Sequence, residues 1–599
     1  MPGAEMPGGV EIAAPVSRYL SAAPARVRAV VRLALRVVDL PVPLARLSPE
    51  RRAARLRRLE RSRIGVLRDL VLLPKTLCSI AYARDPSVAA AVGVTLRCER
   101  RPGALDGFPP APPPLDPGAL RAPDGVERCD VVVVGSGAGG AAAARLLAER
   151  GLSVIVVEEG LYRDARGYST DPFEALPALY RDAGLTVCEG RPAIPLPVGR
   201  CVGGTTVVNS GTCFRTPADV LLRWRDEFGI PWATELGERF EALERDLHVQ
   251  PVDPATAGRN AELCRVGAEA LGAQNGPLFR NAAGVDRCAT CPTGCALDAR
   301  QAAHVSELPR AVAAGARVRA GQRVERVLLE GERAAGVSCG GYEVRARAVV
   351  LAAGALGTPG LLLSQGIGNR SGAVGRHLRI HPACWVGARH EQEVRGWEGV
   401  MQSWHVGEWR EHGLFLEATA TPPAFGAHWL PGAGAELTER IERYGNLAVI
   451  GVHLSDRSEG RVRARGRGVR VSYRLRPDDA QTIAYGIARA AEIHFAAGAT
   501  EVYPQIARAG VWRRGERGPD TERVRPRDLR LEAFHPMGTA RMGADPASTV
   551  VSPSGELHDV PGLFAADASI FPTSLAVNPM ITIMACARVV AAGLADRLE

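Results

Sequence analysis

Residues 129–160 read CDVVVVGSGAGGAAAARLLAERGLSVIVVEEG, and the rest of the chain is arranged around them. Asp130 leads into Val131–Val134, a β-branched apolar run of the kind that forms a strand buried on both faces of a parallel sheet. Gly135, Gly137 and Gly140 follow in the spacing G-x-G-x-x-G. The first permits a tight turn, the second lets backbone approach a pyrophosphate, and the third lets helix and strand pack closely. Ala138 and the small-residue helix Ala141–Arg150 come next, with unpaired N–H groups and a positive dipole end facing that pyrophosphate. Leu152–Val157 is a second strand ending at Glu158, where a carboxylate accepts from a ribose 2′-OH and repels a 2′-phosphate. Glycines in this spacing also occur in ordinary turns. With strand, helix, strand and acid in register, the stretch is a dinucleotide site for FAD or NAD.

The composition is that of a globular protein: 599 residues, 46% hydrophobic and 23% charged, a length that suggests three or four domains. No run of about 18 uncharged apolar residues is present, so no membrane-spanning helix is expected. The opening MPGAEMPGGVEIAAPVSRYL lacks a basic segment followed by an apolar core, which points to a cytoplasmic protein. Thirteen cysteines, scattered except for one cluster, suit a reducing compartment. The net charge of +9 lies wholly in residues 1–128, with 21 Lys and Arg against 12 Asp and Glu; the remainder balances at 53 each. Lys75 is the sole lysine, so the arginine excess reads as a coding preference. No recognition motif or basic–aromatic pattern accompanies it, and no nucleic-acid partner is expected.

Five parts follow: an N-terminal helical extension (1–101), a linker (102–125), a nucleotide-binding part (126–380), a substrate-binding part (381–524) and a return to the nucleotide-binding part (525–599). In the extension, Val27, Val30, Val31, Ala34 and Val38 share one helix face and Arg28, Arg32 and Arg36 another. Ser48-Pro49-Glu50 opens a basic helix through Arg51–Arg63, and Gly65–Ala83 is a third, apolar helix. A small domain packed on the main body is the first reading of residues 24–100; docking to an anionic membrane or a partner subunit is the second. The linker is too rich in proline for helix or sheet.

Further on, Gly203, Gly204, Thr205 and Asn209 in GRCVGGTTVVNSGTCFRTP (199–217) suit a loop pressed against a flat cofactor, although a plain glycine turn fits equally. Cys288, Cys291 and Cys295 form C-x2-C-x3-C. Such thiolates can hold zinc or an iron–sulfur cluster, but both ordinarily take a fourth ligand and none is close in sequence. A three-iron cluster needs just three, and the leading expectation is a metal-free structural loop. Arg323–Leu329, with Val324, and Ala346–Leu351 read as strands; the latter runs into AAGALGTPGLLL, whose Ala353 lies in a glycine turn suited to lining a cofactor. From His381 to Arg476, short alternating runs at 383–390, 414–421, 447–454, 461–465 and 469–474 read as an antiparallel sheet, followed by a helix over 478–498. Leu563–Ala565 is a short strand, Asp567 follows it, and Asn578-Pro579 opens a final helix that Asn578 can cap.

Five ordered motifs resemble the glucose–methanol–choline (GMC) family of flavin oxidoreductases: the glycine motif at 135–140, GGTTVVN at 203–209, AAGALGTPGLLL at 352–363, HPMGTARMG at 535–543 and ADASIFPTSLAVNPMITIMA at 566–585. They span residues 129–599. LERSRIGVLRDL at 59–70 is similar to the N-terminal extension of long-chain alcohol oxidases within that family. The resemblance implies an α/β fold: a Rossmann-like FAD domain, a discontinuous α+β substrate domain with an antiparallel sheet, and a helical extension. It implies FAD, with Glu158 on the adenosine ribose, Asp567 near the ribityl–pyrophosphate region, and His535 and Asn578 facing the flavin. Histidine titrates near neutrality and can take a hydroxyl proton, and an amide can hydrogen-bond the developing alkoxide. Some members tether flavin through a histidine where this chain has Val208, so non-covalent FAD is expected. The expected reaction is oxidation of an apolar, long-chain or sterol-like alcohol, with oxygen, a quinone or a cytochrome as electron acceptor. Two alternatives stand beside it: a sugar dehydrogenase passing electrons through a three-iron cluster, and a non-redox flavin lyase or photoenzyme of the same fold.

Overall fold

The computed structural model describes residues 9–103, 106–516, 518 and 520–599. The first eight residues of the extension, and residues 104 and 105 of the linker, lie outside that description.

The opening stretch forms the centre of a seven-stranded sheet. Gly125–Val134 lies between Val154–Val157 and Tyr342–Leu351, parallel to both, and Arg317–Arg319 extends the sheet beyond Val154–Val157. Two partners share the other edge of Tyr342–Leu351. Its first half pairs antiparallel with Arg333–Ser338, and its last residues pair parallel with Leu563–Ala565 from the end of the chain. The last helix, Met580–Leu598, packs on Ala138–Glu149, so both ends of the nucleotide-binding part meet over the glycine turn. Val131, Val132, Val133, Val154, Ile155 and Val156 are all 0% exposed, as a strand covered on both faces requires. The helix starts at Ala138, three residues ahead of the sequence expectation, because Gly137 already serves as its N-cap.

A second seven-stranded sheet, antiparallel throughout, carries Ala383–Arg389, Gln402–Val406, Leu414–Thr419 and Leu447–Leu454. Helix Pro477–Ala496 packs on it. Three features differ from the sequence expectation. Gln402–Val406 is a strand that the alternation did not reveal, and its outer neighbour, Asn275–Pro277, comes from the part read as nucleotide-binding. The Glu459–Arg465 and Gly468–Arg474 hairpin joins a separate four-stranded sheet through Val187–Glu189. The reason is pairing: Val471 and Ser472 find parallel partners in Cys188 and Glu189, which the pattern along one strand cannot show.

The extension is helical as read. Its helices include Ala25–Asp39, Pro49–Glu60 with Ser48 accepting from the Arg51 N–H, and Gly65–Ala83 running through Pro74. Val31, Ala34 and Val38 pack inward, and burying a valine of this kind contributes on the order of 1.5–3 kcal/mol. Tyr19 stacks on Phe173 at 4.5 Å and donates to the Ala183 carbonyl, while Arg84 pairs with Asp171. The extension thus covers the 171–185 segment that borders the cavity described next.

Candidate active site

A cavity of about 1860 Å³ runs from the glycine turn to the face of the second sheet. Its volume exceeds the ~300–1,000 Å³ of ordinary ligand pockets, which leaves room for a dinucleotide and a substrate together. Gly135, Gly137, Ala138, Glu158, Gly204, Thr205, Asn209, Val324, Ala353, Asp567, His535 and Asn578 all line it.

The glycines divide as their spacing implies. A Cβ built on Gly135 would sit 2.4 Å from the Ala352 carbonyl oxygen, and one on Gly140 would sit 1.9 Å from that of Gly135. One on Gly139 would come within 1.8 Å of the Ala566 oxygen. At Gly137 a Cβ meets nothing within 4 Å, because this residue faces the cavity. The tight positions hold backbone on backbone; Gly137 leaves space for a ligand beside helix N–H groups that have no intrahelical acceptor.

Glu158 is buried, and burial raises its pKa. Its oxygens accept from the Ser136 N–H (3.0 Å), the Ser136 hydroxyl (2.7 Å) and the Gly160 N–H (2.7 Å). The Gly203 N–H donates to the same Ser136 hydroxyl at 2.9 Å, which ties the GGTTVVN loop to the glycine turn. Gly203 itself takes a left-handed φ of +96° and packs beside His304. Asn209 braces its own loop, accepting from the Gly211 N–H at 3.0 Å, with its amide 3.1 Å from the Met580 sulfur. Val324 lines the cavity from the connection before its strand, which begins at Arg326 and not at Arg323. Asp567 accepts from the Gly354 N–H (2.8 Å), the Thr358 hydroxyl (2.6 Å) and the Ser569 N–H (2.7 Å). It fastens the AAGALGTPGLLL turn to the C-terminal segment.

At the other end His535 and Asn578 meet, and three residues that the sequence did not single out meet them. His535 Nδ1 lies 3.1 Å from His381 Nδ1, and His381 Nε2 accepts from the Leu575 N–H at 3.2 Å. His453 stands with its ring centroid 6.3 Å from that of His535. Its Nε2 is 3.1 Å from Glu417 Oε2, yet both Glu417 oxygens lack an aligned hydrogen bond. Burial, then the neighbouring His381 and His453, hold His535 well below its ordinary pKa; burial likewise lowers His381 to about 3. Both rings are neutral at physiological pH. Asp456 accepts from the Ile380 N–H (3.1 Å), the Tyr473 hydroxyl (2.6 Å) and the Ser574 hydroxyl (3.0 Å). One buried carboxylate therefore holds the approach to His381 and the loop that leads to Asn578. Asn578 does not cap the last helix, contrary to one sequence expectation: Pro579 is the N-cap residue and no side chain caps it. The Asn578 Oδ1 is buried without a partner.

The cysteine triplet lies behind this site. Cys288 and Cys291 place their sulfurs 3.2 Å apart, and Cys295 accepts from the Arg300 N–H at 3.5 Å. Arg280 donates to the Cys291 sulfur at 3.4 Å. A fourth thiol, Cys98, arrives from the extension and packs against the triplet, 3.2 Å from the Thr290 hydroxyl. Its distance in sequence concealed it. Among the described residues no three His, Cys, Asp or Glu side chains are placed to hold one metal ion.

The family described as GMC oxidoreductase matches residues 176–383 and 456–587, and an FAD binding domain matches 130–166. A GMC-type oxidoreductase of Mycobacterium tuberculosis, uncharacterized, is 44% identical over 78% of this chain and 76% of its own. The long-chain-alcohol oxidase FAO4B of Arabidopsis thaliana is 31% identical over 79% of this chain and 68% of its own. Among solved structures, pyridoxine 4-oxidase from Mesorbium loti superposes with a TM-score of 0.56 at 21% identity, covering 78% of this chain and 98% of that one. Formate oxidase superposes at 0.61 and 16% identity, over 80% and 99%; at such identities both show the fold alone. The protein is an FAD-dependent oxidoreductase of the kind that acts on alcohols. The chain belongs to the GMC oxidoreductase family.

Proposed function

We propose that the protein oxidises an apolar primary or secondary alcohol, long-chain or sterol-like, to the aldehyde or ketone, with FAD held non-covalently. The observation that carries this reading is the neutral His381–His535 pair beside the unpartnered Asn578 Oδ1, at the far end of the cavity from Gly137. FAD, when bound, supplies the hydride acceptor. Gly137 and Ala138 would receive its pyrophosphate and Glu158 a ribose hydroxyl. The side chain at 208 is a buried valine, which offers no nucleophile for a covalent tether.

The residues divide the proton chemistry. A hydrogen bond between two Nδ1 atoms needs one proton, which has two placements. When the Leu575 N–H occupies His381 Nε2, neutral His381 carries its proton on Nδ1 and donates to His535. His535 then presents Nε2–H to the cavity and donates to a substrate oxygen. In the other placement His535 donates from Nδ1, its Nε2 lone pair takes the hydroxyl proton, and the Leu575 N–H loses its acceptor. Leaving that N–H unpaired costs about 1–3 kcal/mol, less than the ~10²–10⁴-fold gained from a placed base. The substrate hydroxyl donates to His535 Nε2, and an Asn578 amide N–H donates to the substrate oxygen, a bond that strengthens as the proton leaves and the alkoxide develops.

Support for the substrate class comes from the similarity to a long-chain-alcohol oxidase and from Trp385, Met401 and Val471 in the cavity wall. The electron acceptor we read as oxygen, a quinone or a cytochrome. We read the setting as cytoplasmic, because thirteen cysteines scattered outside one cluster suit a reducing compartment more than a disulfide framework. Anaerobic mixing of the holoenzyme with a panel of alcohols, followed by readmission of oxygen, tests substrate and acceptor together. Bleaching by long-chain alcohols is expected. A flavin that no alcohol reduces would overturn the reading and favour the non-redox alternative.

A further inference from the structure

Exposed apolar side chains are not spread evenly over this protein. Among the described residues, seven of the sixteen large hydrophobics with substantial exposure fall within residues 30–66, 37 positions out of 599. Leu40 is 66% exposed, Ile64 60%, Leu33 52% and Val66 48%. A few exposed leucines are ordinary on any surface; a concentration in one small unit marks a contact surface.

The same stretch concentrates charge. Residues 24–66 carry twelve arginines against Asp39, Glu50 and Glu60. Among the described residues, Arg26 pairs with Asp182 and Arg57 with Glu436, while Arg32, Arg36, Arg46, Arg58, Arg61 and Arg63 have no carboxylate within salt-bridge distance. All six are exposed. Structural duty does not account for them.

Apolar and cationic groups also alternate on the same elements. On helix Ala25–Asp39 the inward face is Val31, Ala34 and Val38. Val30 and Leu33 lie on a neighbouring row, and Arg32 and Arg36 on the solvent side. Val30 is 46% exposed and still lines the cavity that contains Gly137 and His535, as do Val27 and Leu73. The cavity wall therefore continues into the exposed apolar row.

We propose that the N-terminal helical extension docks on an anionic lipid bilayer, with Val30, Leu33 and Leu40 entering the interface and Arg32 and Arg36 contacting phosphate headgroups. The charge decides the occupant: a net excess of nine arginines over acids within residues 24–66, most of them without a carboxylate partner, on a body that is otherwise neutral, fits a polyanionic surface. Interleaved leucines gain from a bilayer what they would not gain from a purely polar polyanion. The surface binds whether or not the alcohol reading holds. If it holds, the docked face gives an apolar alcohol a dry path from bilayer to cavity, and that part rests on the proposed function.

The test uses the purified full-length holoenzyme and sedimentation with phosphatidylcholine vesicles, with and without phosphatidylserine. Binding is expected with phosphatidylserine vesicles, weakening as salt is raised. R32Q/R36Q should lower affinity about 30-fold, at roughly a fivefold loss per arginine. L33S/L40S, which keeps every charge, should lower it on the order of tenfold. Flavin content and oxidation of a short, water-soluble alcohol should be unchanged in both variants. Absence of vesicle binding at low salt would overturn the proposal. So would undiminished binding by L33S/L40S, which would mean charge attraction alone, or a dimer in sedimentation velocity that L33S/L40S dissociates. Failure of the alcohol reading would appear separately, as an unreduced flavin in an enzyme that still binds vesicles.

Discussion

Gly137→Ala separates packing from ligand binding more cleanly than any other change in the nucleotide site. Gly137 has φ −70° and ψ −167°, extended backbone open to any L-residue, and its Cβ would meet no protein atom within 4 Å. The apoprotein should therefore fold and gain about 0.4–1 kcal/mol, because alanine narrows the unfolded ensemble. The new methyl group occupies the place where the backbone must approach a pyrophosphate. Affinity for FAD should fall at least ~100-fold, a loss of about 2.7 kcal/mol. Flavin content per chain after denaturation gives occupancy, FAD titration of the apoprotein gives affinity, and a thermal melt without flavin gives stability. Gly139→Ala is the contrast. Its Cβ would lie 1.8 Å from the Ala566 oxygen, so the helix must leave the strand that delivers Asp567, and the apoprotein itself should weaken. Wild-type flavin affinity in Gly137→Ala would refute the placement of the cofactor. A destabilised Gly137→Ala apoprotein would refute the packing argument.

Three further outcomes follow from the histidines. His535→Ala should retain FAD and slow anaerobic flavin reduction by alcohol at least ~10²-fold; reduction at the wild-type rate would remove His535 from the chemistry. His381→Phe removes the second imidazole that depresses His535, so the acid limb of kcat/KM should move to higher pH, whereas a merely structural His381 would lower the rate without moving the limb. Burial lowers His304, His428 and His494 to about 3 and His390 to about 4. For a depressed histidine the stability is complete above the unfolded pKa near 6.5 and is lost as pH falls from there towards the folded value. Each should withdraw about 1.4 kcal/mol per pH unit below ~6.5, measured by urea unfolding of the apoprotein at several pH values, and a flat profile from pH 7 to 5 would contradict their burial as neutral rings.

The division between what was legible in the sequence and what was not follows the range of the interactions. Strand Val131–Val134, the glycine turn, Ser48 before its helix and the run at 447–454 are local patterns, and each appears where expected, although the first strand starts earlier, at Gly125, because its more polar first half also pairs with Tyr342–Leu351. His381, His453, Glu417 and Cys98 carry no local signal, since each is one polar residue in an unremarkable neighbourhood. They acquire a role through pairing: Ala383 opposite His453 brings His381 and His453 to one end of the second sheet, and Glu417 lies one strand further on. The extension shows the same limit from the other side. Its arginine excess was plain in the sequence, where a coding bias explained it as well as any partner. Bias predicts arginines distributed without regard to neighbours. The structure instead leaves the arginines of residues 32–63 largely without carboxylates and sets them in the unit that holds seven of the sixteen exposed large hydrophobics among the described residues, an arrangement that composition alone does not produce.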